Sequence, residues 1–125
     1  MIKNILLVGL GGFIGSIARF FLSKLNIFFV VLAIPIGTLA VNILGSFLIG
    51  FLTGISDKSV ILTVELRMFL MVGLCGGFTT FSSFTNENLM LIHNGQILSV
   101  LLYTGLSVLL GFTAVYLGYA TTNLL

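Results

Sequence analysis

Between Gly73 and Phe84 the chain gathers the residues best suited to chemistry. Gly73, Gly76 and Gly77 are followed by the hydroxyls of Thr79, Thr80, Ser82 and Ser83, interleaved with Phe81 and Phe84, inside an otherwise apolar stretch. In lipid, backbone polar groups must find partners within the protein, and irregular backbone is tolerated only where it is buried in protein or lines a cavity. A glycine-rich break followed by hydroxyls therefore points to an ion or substrate site rather than to plain lipid-facing helix. Phe81 and Phe84 are three apart and occupy neighbouring positions of one face. Ring edges carry partial positive charge, so edges turned inward could line a path for a small anion. Among 12 phenylalanines, the plain alternative is an apolar pair in the core. Half-helix ends present unpaired amides to anions and unpaired carbonyls to cations, and Gly76 and Gly77 are where such carbonyls would be exposed.

Other polar residues fall within apolar runs. Asn42 has Thr38 and Ser46 one turn either side, on one helix face. Its amide could donate to an anion or join two helices, the commoner fate of a membrane asparagine. Arg19 either snorkels to the headgroups or sets a positive charge at the mouth of an anion path. Tyr103 and Ser107 are one turn apart and either extend a hydroxyl track or bond to neighbouring helices. Glu87 follows the break by about two turns in the polar run Thr85, Asn86, Glu87, Asn88. Asp57, Lys58 and Glu65 read as solvated helix-end charges, His93 as a turn residue without metal-ligand companions, and Cys75 as a small packing residue. Glu87 has no second carboxylate near it and Ser82 and Ser83 have no base beside them, so catalysis is not expected.

These residues need a membrane scaffold. Only 6% of the 125 residues are charged, 58% are hydrophobic, and mean hydropathy is +1.28. Soluble domains carry about a quarter charged residues. A net charge of +2 without a basic cluster argues against nucleic acid. A span needs about 20 apolar residues. Four are expected, over Ile5–Leu25, Ile36–Ile55, Val64–Ile92 with a break near Gly76, and Ile97–Thr121, forming a single all-α domain over residues 1–125. Pro35 suits a first-turn helix position, and residues 26–34, 56–63 and 93–96 read as connections. The first run is too long for a signal-peptide core. Gly11 with Gly15, Gly12 with Ser16, and Ser46, Gly50 and Gly54 form small-residue faces that permit close helix approach, within one subunit or between two. An even number of short-looped spans puts both termini on one side. That side carries Lys3, Lys58 and Arg67, and the other Arg19 and Lys24. Orientation follows an excess of Lys and Arg; three against two gives almost none, which is compatible with insertion both ways.

The chain resembles the Fluc (CrcB) family of small membrane fluoride channels. Gly12, Gly15, Arg19 and Phe20 look like its first-helix pattern. Gly37, Thr38, Asn42, Gly45 and Gly50 look like its second. Gly73, Gly76, Gly77, Thr79, Phe81, Ser83 and Phe84, with Glu87 beyond, look like its third-helix signature, the most specific of the three. The resemblance implies an antiparallel, dual-topology dimer with two pores, formed with an identical chain or a similar second subunit in a bacterial cell membrane. It implies that Phe81 and Phe84 meet fluoride with ring edges. Asn42 would belong to the ion pathway, Ser83, Tyr103 and Ser107 to a polar track, and Arg19 to the vestibule. Backbone carbonyls of Gly76 and Thr79 would hold a structural sodium ion at the dimer centre. The track is least clear beyond Ser107, where Gly111 and Val115 carry no hydroxyl. Fluoride entering an acidified cell as HF would dissociate and leave passively, without ATP or proton coupling.

The main rival is a small four-helix, dual-topology, proton-coupled multidrug exporter. It would need a membrane carboxylate early in the chain, and the first two expected spans contain no Asp or Glu. A non-conducting assembly subunit would leave the broken helix and its phenylalanine pair without a role.

Overall fold

The computed structural model describes residues 1–28, 30–58 and 61–125. Among these residues, four helical stretches are long and apolar enough to cross a membrane: Ile2–Phe28, Ile36–Lys58, Val64–His93 and Ile97–Leu124. The first comprises α1 (Ile2–Ser23) and a short helix α2 (Leu25–Phe28). At 1.5 Å per residue, α1 alone spans about 33 Å, the thickness of a bilayer core. A two-stranded hairpin follows, β1 (Val30–Val31) against β2 (Ile34–Pro35), and then α3 (Ile36–Lys58). The third stretch is built from α4 (Val64–Arg67), a wide π-helical segment Met68–Cys75, α5 (Gly76–Phe78) and, after a break, α6 (Ser82–His93). The last is α7 (Ile97–Thr121), closed by a 3-10 turn.

The segment read as a connection over 26–34 holds a helical turn and most of a hairpin; its residue 29, and residues 59–60 of the second connection, lie outside the described set. One sequence expectation is corrected here. Pro35 is the last residue of β2, paired with Val30, rather than a helical residue. With φ fixed and no N–H to place, it ends the two-residue ladder where α3 begins. The hairpin turn puts Leu32 and Ala33 at φ 54° and 61°, the left-handed region that non-glycine residues adopt at a cost. The Ser99 hydroxyl donates to the Leu32 carbonyl and ties this turn to α7.

The helices pack as two parallel pairs. Gly11 of α1 lies against the backbone of Phe69, Gly73 and Leu74, and Gly15 against Leu74 and Phe78, so the two chains advance together. Gly50 of α3 lies against Val115 of α7 and Gly54 against Thr122, a second parallel pair. The small-residue faces seen in the sequence are thus used inside the subunit. Lipid is as apolar as leucine, so association of these helices rests on close packing and hydrogen bonds. Buried Ile34, Leu39, Leu91 and Tyr103 form one cluster, and Leu52, Leu62 and Cys75 another. The last connection turns at Gly95, whose φ of 73° suits glycine.

A Cβ at Gly50 would strike the Val115 carbonyl, whereas one at Gly105 meets nothing within 4 Å. Backbone cannot move aside as a flexible side chain can. Gly50→Val is therefore expected to separate α3 from α7, at about 1–3 kcal/mol or more, and Gly105→Ala to be neutral. Thermal unfolding followed by size-exclusion recovery in detergent distinguishes them; equal recovery would contradict this packing.

Candidate functional site

The third stretch breaks three residues later than the sequence suggests. Gly76 is helical, with φ −63° and ψ −38°, and the chain leaves the helix at Thr79, with φ −84° and ψ 157°. Gly73 and Gly77 serve close approach, not bending: a Cβ at Gly73 would meet Val8 and Gly11, and one at Gly77 would meet the Gly12 backbone. What holds the break is Asn42. The Thr80 N–H, which a continuing helix would send to the Gly76 carbonyl, donates instead to Asn42 Oδ1 at 2.8 Å. Asn42 Nδ2 returns a bond to the Thr80 carbonyl at 3.0 Å. One side-chain amide thus completes both polar groups of one peptide residue at membrane depth, where each unpaired group costs several kcal/mol. Thr80 Oγ1 accepts the Ser83 N–H at 3.1 Å and starts α6. Thr79 Oγ1 donates to the Cys75 carbonyl at 2.9 Å, and its methyl occupies the space a Cβ on Gly45 would need.

An open cavity of about 450 Å³ sits against this break, lined by Asn42, Ser46, Cys75, Gly76, Thr79, Phe81, Phe84 and Ser107, among others. Residues singled out from sequence therefore meet here: Asn42, Gly76, Thr79, Phe81, Phe84 and Ser107, together with Ser46, Cys75 and Thr80. Phe81 and Phe84 stand with centroids 5.7 Å apart, inclined at 46°. Phe81 is 76% exposed, and a side chain at Gly76 would point into open space. The cavity wall is therefore incomplete on that side. Ser107 Oγ is buried and has no hydrogen-bond partner among the described residues. A second hollow is lined by Ser46, Ser107, Gly111 and Val115 among others, and Ser46 supplies a hydroxyl beside Gly111, where α7 has none.

Ser83, Tyr103 and Arg19 are not in the cavity wall. Ser83 stands in the first turn of α6. Tyr103, fully buried, lies behind Phe84, edge to face at 5.0 Å and 70°. Its hydroxyl donates to Glu87 Oε1 at 3.0 Å. Thr38 Oγ1 donates to Glu87 Oε2 at 2.8 Å, and Asn26 Nδ2 reaches the same oxygen at 3.2 Å. Thr38 was expected to share the Asn42 face. Four residues turn a helix by 400°, so each step of four drifts by about 40°, enough to aim Thr38 at Glu87 while Asn42 and Ser46 face the cavity. Arg19 Nε donates to the Gly77 carbonyl at 3.0 Å, a cation at the carbonyl end of a helix, where the backbone dipole favours it.

Sequence reasoning missed Asn26 and the backbone of Thr80. Asn26 had one visible signal, the lone uncharged amide in an apolar stretch between Lys24 and Thr38. The Thr80 hydroxyl stood out in the sequence, but the pairing of its main-chain N–H and carbonyl with Asn42 left no mark there.

The family described as "CrcB-like protein, Camphor Resistance (CrcB)" matches residues 6–119. A protein named "Fluoride-specific ion channel FluC" from Azobacteroides pseudotrichonymphae genomovar. CFP2 is 43% identical over 123 residues, 98% of each chain. One of the same name from Chlorobium chlorochromatii (strain CaD3) is 46% identical over 115 residues, 92% of this chain and 88% of its own. A third, from Flavobacterium psychrophilum (strain ATCC 49511 / DSM 21280 / CIP 103535 / JIP02/86), is 41% identical over 116 residues, 93% and 94% of the two chains. With four apolar stretches able to span a bilayer and a family match over nearly its whole length, the chain is a multi-pass integral membrane protein and belongs to the CrcB family.

Proposed function

We propose that residues 1–125 act as one subunit of a passive fluoride channel in a bacterial cell membrane. The observation that carries this reading is the Phe81 and Phe84 pair, set beside a helix break that Asn42 braces, on the wall of a cavity in a chain related to proteins named as fluoride-specific channels. Ring edges and hydroxyls offer a small anion weak, multiple contacts, which suits entry and exit from a conduction path better than tight binding. Asn42 keeps one amide hydrogen beyond the bond to Thr80 and lies on this path with Ser107. Ser83 and Tyr103 act beside it, and Arg19 contributes positive charge to the vestibule. A multidrug exporter finds no support: the carboxylates of the first two spanning stretches reduce to Asp57, at the end of α3 beside the Tyr119 hydroxyl.

The working unit in this reading is an antiparallel dimer of identical chains. Exposed Phe81 and open-faced Gly76 leave the cavity unfinished on one side, and a second, inverted copy would close it. A structural sodium ion fits the donors at that face. Diverting the Thr80 N–H to Asn42 releases the Gly76 carbonyl from its helical donor, and the extended Thr79 turns its carbonyl out of the helix. Hard, uncharged oxygens of this kind suit a monovalent cation at an unwound membrane helix. Among the described residues no group of three or more His, Cys, Asp or Glu could hold a metal.

Three measurements follow from this reading. Phe81→Ile and Phe84→Ile keep apolar bulk but lose the ring edge; each is expected to lower fluoride efflux from liposomes about tenfold or more while the dimer survives. Unchanged efflux in both folded variants would return the rings to plain packing. Protein carrying Asn94→Cys in a Cys75→Ala background is expected to label from both faces of intact cells, and labelling from one face only would exclude the inverted dimer. Exchange of sodium for a large organic cation is expected to weaken the dimer and efflux. Thr79→Ser, which keeps the backbone and the bond to Cys75, should be mild. Gly76→Val, with free space inside the subunit, should leave the subunit folded but block dimerisation. Efflux and dimer stability both unchanged without sodium would remove the ion from the account.

A further inference from the structure

We propose that Asn26 is a positioning residue for the Phe84 ring, acting through Glu87 and Tyr103. The inference rests on the reading of Phe84 as part of the fluoride path. Asn26 lies in α2, after the first membrane helix and far from the phenylalanine pair in sequence. Its Oδ1 accepts the Thr38 N–H at 3.1 Å, in the first turn of α3, where a helix leaves its N–H groups unpaired. Its Nδ2 faces both Thr38 Oγ1 at 3.1 Å and Glu87 Oε2 at 3.2 Å. An amide nitrogen carries two hydrogens, so both bonds form together and the side chain has no alternative donor to offer.

The Glu87 carboxyl group is thereby held from two sides. Oε2 is fixed by Asn26 and Thr38, and Oε1 by the Tyr103 hydroxyl at 3.0 Å. Tyr103 is wholly buried, and its ring meets Phe84 edge to face. Phe84 and Glu87 also sit one turn apart on α6. The ring therefore takes its place from the helix that carries it and from a tyrosine whose own position is set by Glu87. Removing the Asn26 donor leaves Oε2 with Thr38 alone, lets the carboxyl group turn towards its remaining donors, and shifts Tyr103 against the ring. An anion that meets ring edges is sensitive to that tilt, because the favourable charge lies in the ring plane.

The plain alternative is that Asn26 only caps α3. Asn26→Asp separates the two roles, since it keeps an oxygen for the Thr38 N–H and loses the donor to Glu87. The chain has three tyrosines, at 103, 116 and 119. Protein labelled throughout with 3-fluorotyrosine gives three fluorine resonances, and Tyr103→Phe identifies one of them. In Asn26→Asp the Tyr103 resonance is expected to move while those of Tyr116 and Tyr119 stay. Fluoride efflux from liposomes is expected to fall about tenfold, and adding Tyr103→Phe should lower it no further, because residues acting in series are not additive. Asn26→Ala introduces no charge beside Glu87 but removes the cap together with the donor; it is expected to give the same two results, and an unmoved Tyr103 resonance there overturns the proposal if Asn26→Asp does not assemble. An unmoved Tyr103 resonance in a folded variant overturns the proposal whether or not the chain conducts. Efflux within twofold of the unsubstituted chain overturns it as well. An unsubstituted chain that passes no fluoride would defeat the channel reading instead, and the fluorine resonance would still decide the link from Asn26 to Tyr103.

Discussion

The site depends on one exchange of hydrogen bonds, in which the side-chain amide of Asn42 takes the place of a backbone partner for Thr80. A helix in lipid cannot simply stop, because an unpaired N–H or C=O at that depth costs several kcal/mol. A polar helix-to-helix bond in a membrane returns only about 0.6–2 kcal/mol. Asn42 is thus weak as glue but decisive as a substitute partner: it makes an interruption tolerable that would otherwise be forbidden. The extended Thr79, the cavity and the outward set of Phe81 all follow from the interruption.

The rest of the subunit exists to bring α3 close enough for that amide to reach. Gly45 supplies that approach directly, against Thr79 and Phe78, and other glycines set the two helix pairs. On one side Gly11, Gly12 and Gly15 lie against the backbone of the third stretch, and on the other Gly50, Gly54 and Gly118 lie against α7 or receive α3. With no hydrophobic drive between helices in lipid, such backbone contact is what fixes their spacing. The π-helical segment Met68–Cys75 just before the break belongs to the same region. Such segments are rare and concentrate at functional sites, and here the widened turn delivers Cys75 and Gly76 to the cavity wall.

Much of this was legible in the sequence, because it is written locally. Four apolar runs gave four spans, and glycines at spacing four gave faces that pack closely. The hydroxyl and phenylalanine run after Gly77 marked the unusual part of the third span. The position of the break was not legible. Gly76 looked like the weak point, yet glycine there is helical, and the interruption is imposed by a residue 38 positions away in sequence. The hairpin at 30–35 was also hidden, since Leu32 and Ala33 adopt left-handed geometry without the glycine or asparagine that announces such turns. The partners of Glu87 come from three other elements, α2, α3 and α7, and no local pattern foretells that meeting.

The central claim is that this one chain, without another kind of subunit, builds a path that passes fluoride and rejects chloride. Purified protein in liposomes loaded with both anions tests it directly, with each anion followed outside by its own electrode. The account predicts rapid loss of fluoride with chloride retained, at a rate that scales with protein and needs no proton gradient. Loss of both anions together, retention of both by correctly folded protein, or efflux that requires a pH gradient would contradict it.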